Sequence, residues 1–248
     1  AVGSLADALR VTAPSRVHSS IMQSTSFGVV NSAIPPFNSV LARRALNYAV
    51  DRNKAVKILG GHSVAIPTCQ LVPLSMPSYA PYCPYSIGSP GSDYQGPDIG
   101  RARGLVRASR TQGMPVVVTD VVDDYNPPLE TYFADVLRSL GYKVTVRRLP
   151  DTARNEDFFY DPRSGIQVET GGWIADFPLP SNFYEIIACA TRNVAYPFAY
   201  STRQKDHRAP AAAPLHQPEP GRTLRALAPD APDCTHRRPP GPHTQAAH

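Results

Sequence analysis

From Asn38 onward, Val40, Leu41, Ala45, Leu46, Tyr48 and Ala49 recur at three- and four-residue steps, which gathers them on one stripe and predicts an amphipathic helix. Asp51 stands where it can cap a second helix over Lys54 to Leu59, and Gly60-Gly61 ends that helix, so the two meet at a bend. Upstream, Ala1 to Ser32 reads as short strands and turns. Within it, Ser24 to Asn31 concentrates β-branched and aromatic residues and predicts a strand, which Pro35-Pro36 stops.

Residues 62 to 97 are dominated by Pro, Ser, Tyr and Gly and predict a long connection without regular structure. Pro97-Asp98 then opens a helix ending near Ser109. Met114 to Thr119 follows as a strand, Pro128 through Leu140 as a helix closed by Gly141, and Lys143 to Leu149 alternates as a strand does. Helix, strand, helix, strand is α/β organisation. Asp151 to Phe159 reads as one more short helix, Ile166 to Thr170 as a strand, and Ser181 to Cys189 as a closing helix. Beyond Tyr200 the periodicity stops: the last stretch holds nine of the prolines and five of the seven histidines. Such a tail buries too little apolar surface to offset its ordering entropy and is expected to be disordered.

Composition narrows the functional classes. An apolar share of 42% over 248 residues suffices for a core, and 27 prolines argue for loops over a helical bundle. The net charge of +5 is concentrated in the tail, which carries seven Lys and Arg against four Asp and Glu, and the rest is nearly neutral. Arg43-Arg44 and Arg147-Arg148 are too sparse for a nucleic-acid face, so no nucleic-acid partner is expected. No apolar run approaches the roughly 20 residues of a membrane span, and Ala1-Val2-Gly3-Ser4 begins no signal peptide. Cys69 and Cys83 enclose thirteen Pro- and Tyr-rich residues, a spacing that fits no zinc pattern and suits a disulfide-closed loop. Two buried thiols are the alternative. Pairing would imply an oxidising compartment, and Cys189 and Cys234 have no evident partners.

Catalytic machinery is not apparent. There is no Gly-x-Ser-x-Gly elbow, no phosphate-cradling glycine loop, and outside the tail only His18 and His62, both expected at the surface. Asp120, Asp123 and Asp124 lack the glycine and terminal glutamate of a calcium loop and read as a polar turn. Glu156-Asp157 and Glu169 form no fixed acid/base pair. No catalytic residue, metal site or cofactor is therefore expected. A hydrolase has no assembled site here, and binding is the favoured class.

One segment suits binding. Gly171-Gly172-Trp173-Ile174-Ala175-Asp176-Phe177-Pro178-Leu179-Pro180-Ser181-Asn182-Phe183 carries the sole tryptophan, a carboxylate three residues later and two helix-breaking prolines. It reads as a ligand-facing loop able to take a cationic or amine-bearing molecule, through the indole face and the carboxylate. The residues alone leave two plainer readings open: Asp176 stabilising a turn, and Trp173 as core.

Together with Ile34-Pro35-Pro36-Phe37-Asn38 through Arg43-Arg44-Ala45-Leu46-Asn47-Tyr48-Ala49-Val50-Asp51-Arg52, this segment resembles the bacterial family 5 extracellular solute-binding proteins, the dipeptide- and oligopeptide-binding components of ABC importers. The likeness runs from about Ser24 to Asn182, and the Cys69-Gln70 and Pro81-Tyr82-Cys83-Pro84-Tyr85 segments resemble an actinobacterial branch. It implies an α/β fold, the second lobe of a periplasmic-binding-protein-like (type II, cluster C) two-lobe fold. The expected divisions are an entering strand segment over 1–37, a solute-binding lobe over 38–200 and the tail over 201–248. The first lobe, the signal sequence and the final return to the first lobe are expected to lie outside this chain.

The same resemblance implies that Asp176 pairs with the ligand's α-ammonium group and that Trp173 forms cleft wall, with Phe177 and Asn182 as further ligand contacts. Arg44, Ala45, Tyr48 and Asp51 match a motif read as structural. The implied partners are a peptide or other small solute, the membrane permease subunits and the first lobe. The implied location is the extracellular side of the membrane, periplasmic or lipoprotein-anchored in the full-length protein. A ligand-sensing module of a larger regulatory protein is the alternative.

Overall fold

The computed structural model describes residues 8–18, 20–32, 34–77, 79–88, 91, 93–121, 129–149 and 164–185. The helix expected at Asp151 to Phe159, Asp123 and Asp124, Glu156-Asp157, Cys189, Cys234 and the tail lie outside these residues. The elements are β1 (Ser24–Val30), α1 (Val40–Ala49), α2 (Arg52–Ile58), α3 (Ile99–Ser109), β2 (Pro115–Val121), α4 (Leu129–Ser139), β3 (Lys143–Leu149), β4 (Val168–Ile174) and α5 (Ser181–Glu185). Residues 8–12 are helical and Pro14–Arg16 forms a 3-10 turn, where strands and turns are expected from the sequence. The apolar side chains Leu9 and Val11 lie exposed there, so burial does not set this segment; Pro14 opens the 3-10 turn, where its fixed φ suits a helical start.

Local chemistry explains the helix boundaries. The Asp51 carboxylate accepts from the N–H groups of Asn53 (3.0 Å) and Lys54 (3.2 Å), satisfying donors at the start of α2. Gly61, at φ 89°, brings its N–H back to the Val56 carbonyl at 2.9 Å and closes the helix. Asp98 caps α3 through the Arg101 N–H, while its own N–H donates to the Tyr48 carbonyl, tying the start of α3 to α1. Gly141, at φ 93°, ends α4 and turns the chain into β3.

The four strands form one sheet in the order β1-β4-β2-β3. β2 and β3 are parallel, joined through α4, and β4 meets β2 in parallel at Val118 and Val168. β1 runs antiparallel to β4 along its whole length, from Ser24 opposite Ile174 to Val30 opposite Val168. This pairing corrects one boundary. The sequence predicts a strand over Ile166 to Thr170 followed by a loop holding Trp173, whereas β4 starts at Val168 and continues through Gly171, Gly172 and Trp173. Glycines are weak strand formers, but here every position from Thr170 to Ile174 has a partner on β1, and that distant ladder overrides local propensity.

The main core lies between one sheet face and the helices α1, α3 and α4. Its residues include Phe37, Ala45, Leu46, Val106, Val116, Val118, Leu137 and Val168. Gly28 lets α4 approach this face, since a Cβ there would lie 2.8 Å from Phe133 Cζ. On the same face the Thr170 hydroxyl donates to the buried Glu130 carboxylate. Arg52 anchors the long connection: it donates to the carbonyls of Thr68 (3.0 Å) and Tyr85 (3.3 Å), with its guanidinium 4.9 Å from the Tyr94 ring centroid. Burial lowers the Arg52 pKa from its ordinary value. Within the described residues no helix is long and apolar enough to cross a membrane.

Candidate functional site

Side chains directly opposite each other in an antiparallel ladder project to the same face. Gly28 and Thr170 therefore share the face turned to α4, and Thr25 and Trp173 share the other. The indole consequently leaves the main core and packs elsewhere. It joins Ala175 and Tyr184 against a second apolar cluster of Val72, Met76 and Phe183, bordered by Leu71 and Tyr79. Burial in this cluster pushes the Tyr184 phenol above its ordinary pKa.

Four of these residues, Leu71, Val72, Met76 and Tyr79, come from the segment between Cys69 and Cys83, which are joined by a disulfide with a Cα–Cα distance of 5.0 Å. The Gln70 amide donates across the base of the same loop to the Ala80 carbonyl at 2.8 Å. A loop too polar and proline-rich to form regular structure is thus closed covalently and set beneath the tryptophan.

After β4, the Ala175 N–H still donates to the Gln23 carbonyl at 2.8 Å, adding a rung to the β1–β4 pairing before the chain bends at Asp176. Pro180 stands just before α5, where a missing N–H costs nothing. Asn182 follows in the first turn of α5 and is 3% exposed. Its side-chain oxygen accepts from Trp173 Nε1–H at 2.9 Å and from the Asp176 backbone N–H at 2.9 Å. Its amide nitrogen donates to Asp176 Oδ2 at 3.0 Å. These three partners decide which way the amide faces, because a flip would set NH2 against two N–H donors and oxygen against a carboxylate.

The Asp176 side chain is exposed, and among the described residues it meets no cation and accepts only the Asn182 bond, at Oδ2. Phe177 is also exposed, at 39%, and Ile174 and Leu179 add further exposed apolar surface on either side of it. Trp173, Asp176 and Asn182 therefore form one hydrogen-bonded unit, with Phe177 beside it in the chain. Sequence reasoning names all four. It passes over Thr25, whose buried hydroxyl has no hydrogen-bond partner among the described residues, and the residues inside the disulfide loop. Period-two alternation along Ser24 to Val30 does place Thr25, Phe27 and Val29 on one face, but nothing local says which strand lies opposite.

His18 and His62 are exposed. Among the described residues no group of three or more His, Cys, Asp or Glu is placed to hold a metal ion.

Residues 4–194 match the family model described as bacterial extracellular solute-binding proteins, family 5 Middle. No curated protein sequence matches the chain. Among solved structures, it is similar to the Escherichia coli murein tripeptide binding protein MppA, at 16% identity and a TM-score of 0.62, over 79% of this chain and 38% of that one. It is similar to Haemophilus influenzae OppA complexed with RPPGFSPFR, at 18% identity and a TM-score of 0.57, over 77% and 37%. It is also similar to the periplasmic binding protein DppA from Helicobacter pylori in complex with the peptide STSA, at 18% identity and a TM-score of 0.56, over 75% and 36%. At these identities the likeness is one of fold. The chain spans 36 to 38% of the length of these three structures.

Proposed function

The chain belongs to the bacterial extracellular solute-binding proteins, family 5, and from that premise we propose that it supplies one wall of the ligand cleft in the peptide-binding component of an ABC importer. The Asp176 carboxylate carries the reading. It is exposed, meets no cation among the described residues, and is held in one orientation beside an indole. A peptide's terminal ammonium group at Oδ1 gains a charge-assisted hydrogen bond, and the Trp173 face favours a cation or a flat peptide unit next to it. Peptides bound to two of the structurally similar proteins support the same ligand class.

In this reading the described fold is the second lobe, and the opposite wall of the cleft comes from a first lobe outside this chain. Closure of the two lobes excludes water, and the ammonium–carboxylate attraction strengthens as the effective dielectric falls. The closed form is what the permease recognises. The protein binds and delivers without turning its ligand over. The Cys69–Cys83 disulfide suits an oxidising site outside the membrane.

With one wall present, binding is expected to be weak. Nitrogen-15 NMR of this chain with millimolar trialanine reads it: the Trp173 indole N–H and the backbone of residues 175–182 shift with the free peptide, and do not with N-acetylated trialanine. The Asp176→Asn variant loses the response. Equal shifts from both peptides, or undiminished binding in that variant, would remove Asp176 from the role.

A further inference from the structure

Asn182 stands among the candidate ligand contacts, yet its side chain is nearly enclosed, and its amide oxygen and one amide N–H are engaged inside the protein. We propose that Asn182 is the positioning residue of the site: its amide clamps Asp176 by Oδ2 and the Trp173 indole by its N–H, leaving Asp176 Oδ1 for a ligand's ammonium group. The inference rests on the proposed role of Asp176 only for that last consequence. The clamp itself is testable without any ligand.

The chemistry selects a neutral amide at this position. Two N–H groups need an acceptor, and a carboxylate oxygen 3.0 Å away needs a donor. An amide offers both on one rigid plane, whereas a hydroxyl lacks the span and a carboxylate offers no donor. Aspartate at 182 would keep the acceptor for both N–H groups but bring a second carboxylate against the first. Two carboxylates at that separation share one proton, which a carboxylate paired with an amide cannot do, so the substitution adds a titration of the unit.

The clamp also joins three segments. Trp173 ends β4, Asp176 starts the bend and Asn182 opens α5, whose Phe183 is fully buried against Val72 and Met76 of the disulfide loop. Orientation of the exposed carboxylate is thereby referred, through α5, to a covalently closed base.

Trp173 is the only tryptophan, so its fluorescence reports on the clamp directly. In the full chain, the wild-type emission profile between about pH 5 and 8 is the reference, since a carboxylate–amide pair has no shared proton to lose. Asn182→Asp is expected to show a titration of emission in that range, and Asn182→Asp combined with Asp176→Asn to abolish it. Tyr184 adds no transition there, because burial raises its phenol further above the range. Asn182→Ala is expected to shift emission to the red at every pH, and Asp176→Asn alone to leave emission at the wild-type position, since an amide oxygen at 176 still accepts from Asn182. A level profile in Asn182→Asp, or wild-type emission in Asn182→Ala with unchanged circular dichroism, would overturn the proposal. Absence of any trialanine response in the wild-type chain, with the emission pattern as expected, would instead count against the ligand reading alone.

Discussion

The Tyr132 hydroxyl holds the main chain of Asp51 from both sides: the Asp51 N–H donates to it at 2.7 Å, and it donates to the Asp51 carbonyl at 2.9 Å. The two residues are 81 positions apart. Asp51 marks the bend between α1 and α2, so one phenol on α4 holds the point at which the two helices meet.

Replacing Tyr132 with Phe keeps the buried ring and removes the hydroxyl. The Asp51 carbonyl retains Ala55 N–H at 3.1 Å, but the Asp51 N–H loses its acceptor. An orphaned donor of this kind costs about 1–3 kcal/mol. We expect a lower urea midpoint with an unchanged slope. An unchanged midpoint would show that water replaces the phenol without penalty.

Burial is the largest cause pushing the Tyr132 phenol from 10.0 to about 12, and it outweighs the hydrogen bond to the Asp51 backbone, which acts the other way. In the unfolded chain the phenol ionises near its ordinary value, so between about pH 10 and 12 the folded state holds a proton that the unfolded state has released. The stabilisation is complete below pH 10 and is lost as pH rises through 12. Tyr94, Tyr142 and Tyr184 are raised by burial in the same direction. Urea midpoints are expected to fall from pH 9.5 to 11.5, and to fall less steeply in Tyr132→Phe; parallel profiles would contradict this.

At Gly28 the strand β1 lies close against the Phe133 ring of α4. Alanine there sets a methyl group 2.8 Å from Phe133 Cζ, and the ring is itself buried. Overpacking of this sort costs about 1–3 kcal/mol. The Gly28→Ala chain should melt earlier, and a second change of Phe133→Leu should recover part of the loss. A double variant no more stable than Gly28→Ala would place the strain elsewhere.

The Cys69–Cys83 bridge closes a separation of 14 residues. A loop of about that length constrains the unfolded chain by about 3 kcal/mol on the entropic account. Replacing both cysteines by serine should lower stability by that order. Because Leu71, Val72, Met76 and Tyr79 pack under Trp173, the same change should shift tryptophan emission to the red before global unfolding. Wild-type emission in a destabilised double-serine chain would detach the loop from the site.

Periodicity and end chemistry are local, and they made much of the fold readable in advance. The stripe from Val40 to Ala49, the Asp51 and Asp98 caps, and the Gly61 and Gly141 stops each depend on residues within a turn or two, and the structure has them where the pattern places them. The alternation in Lys143 to Leu149 and the valine run of β2 are equally self-contained. The Trp173 to Asn182 segment stood out in the sequence through the sole tryptophan, a carboxylate three residues later and two prolines. Its arrangement was not written there.

Tertiary pairing decided the rest. Gly171-Gly172 reads as the end of a strand until β1, more than 140 residues upstream, supplies a partner for each position. That register in turn sends Trp173 to the face away from α4. Asn182 is expected from the resemblance as a ligand contact, and its enclosure is set by tertiary structure, because β4 and α5 bring an indole N–H and a carboxylate to opposite sides of its amide. Side-chain periodicity encodes which residues share a face, whereas the partner of each face is set by contacts between segments far apart in the chain, and those exist only once the sheet has closed.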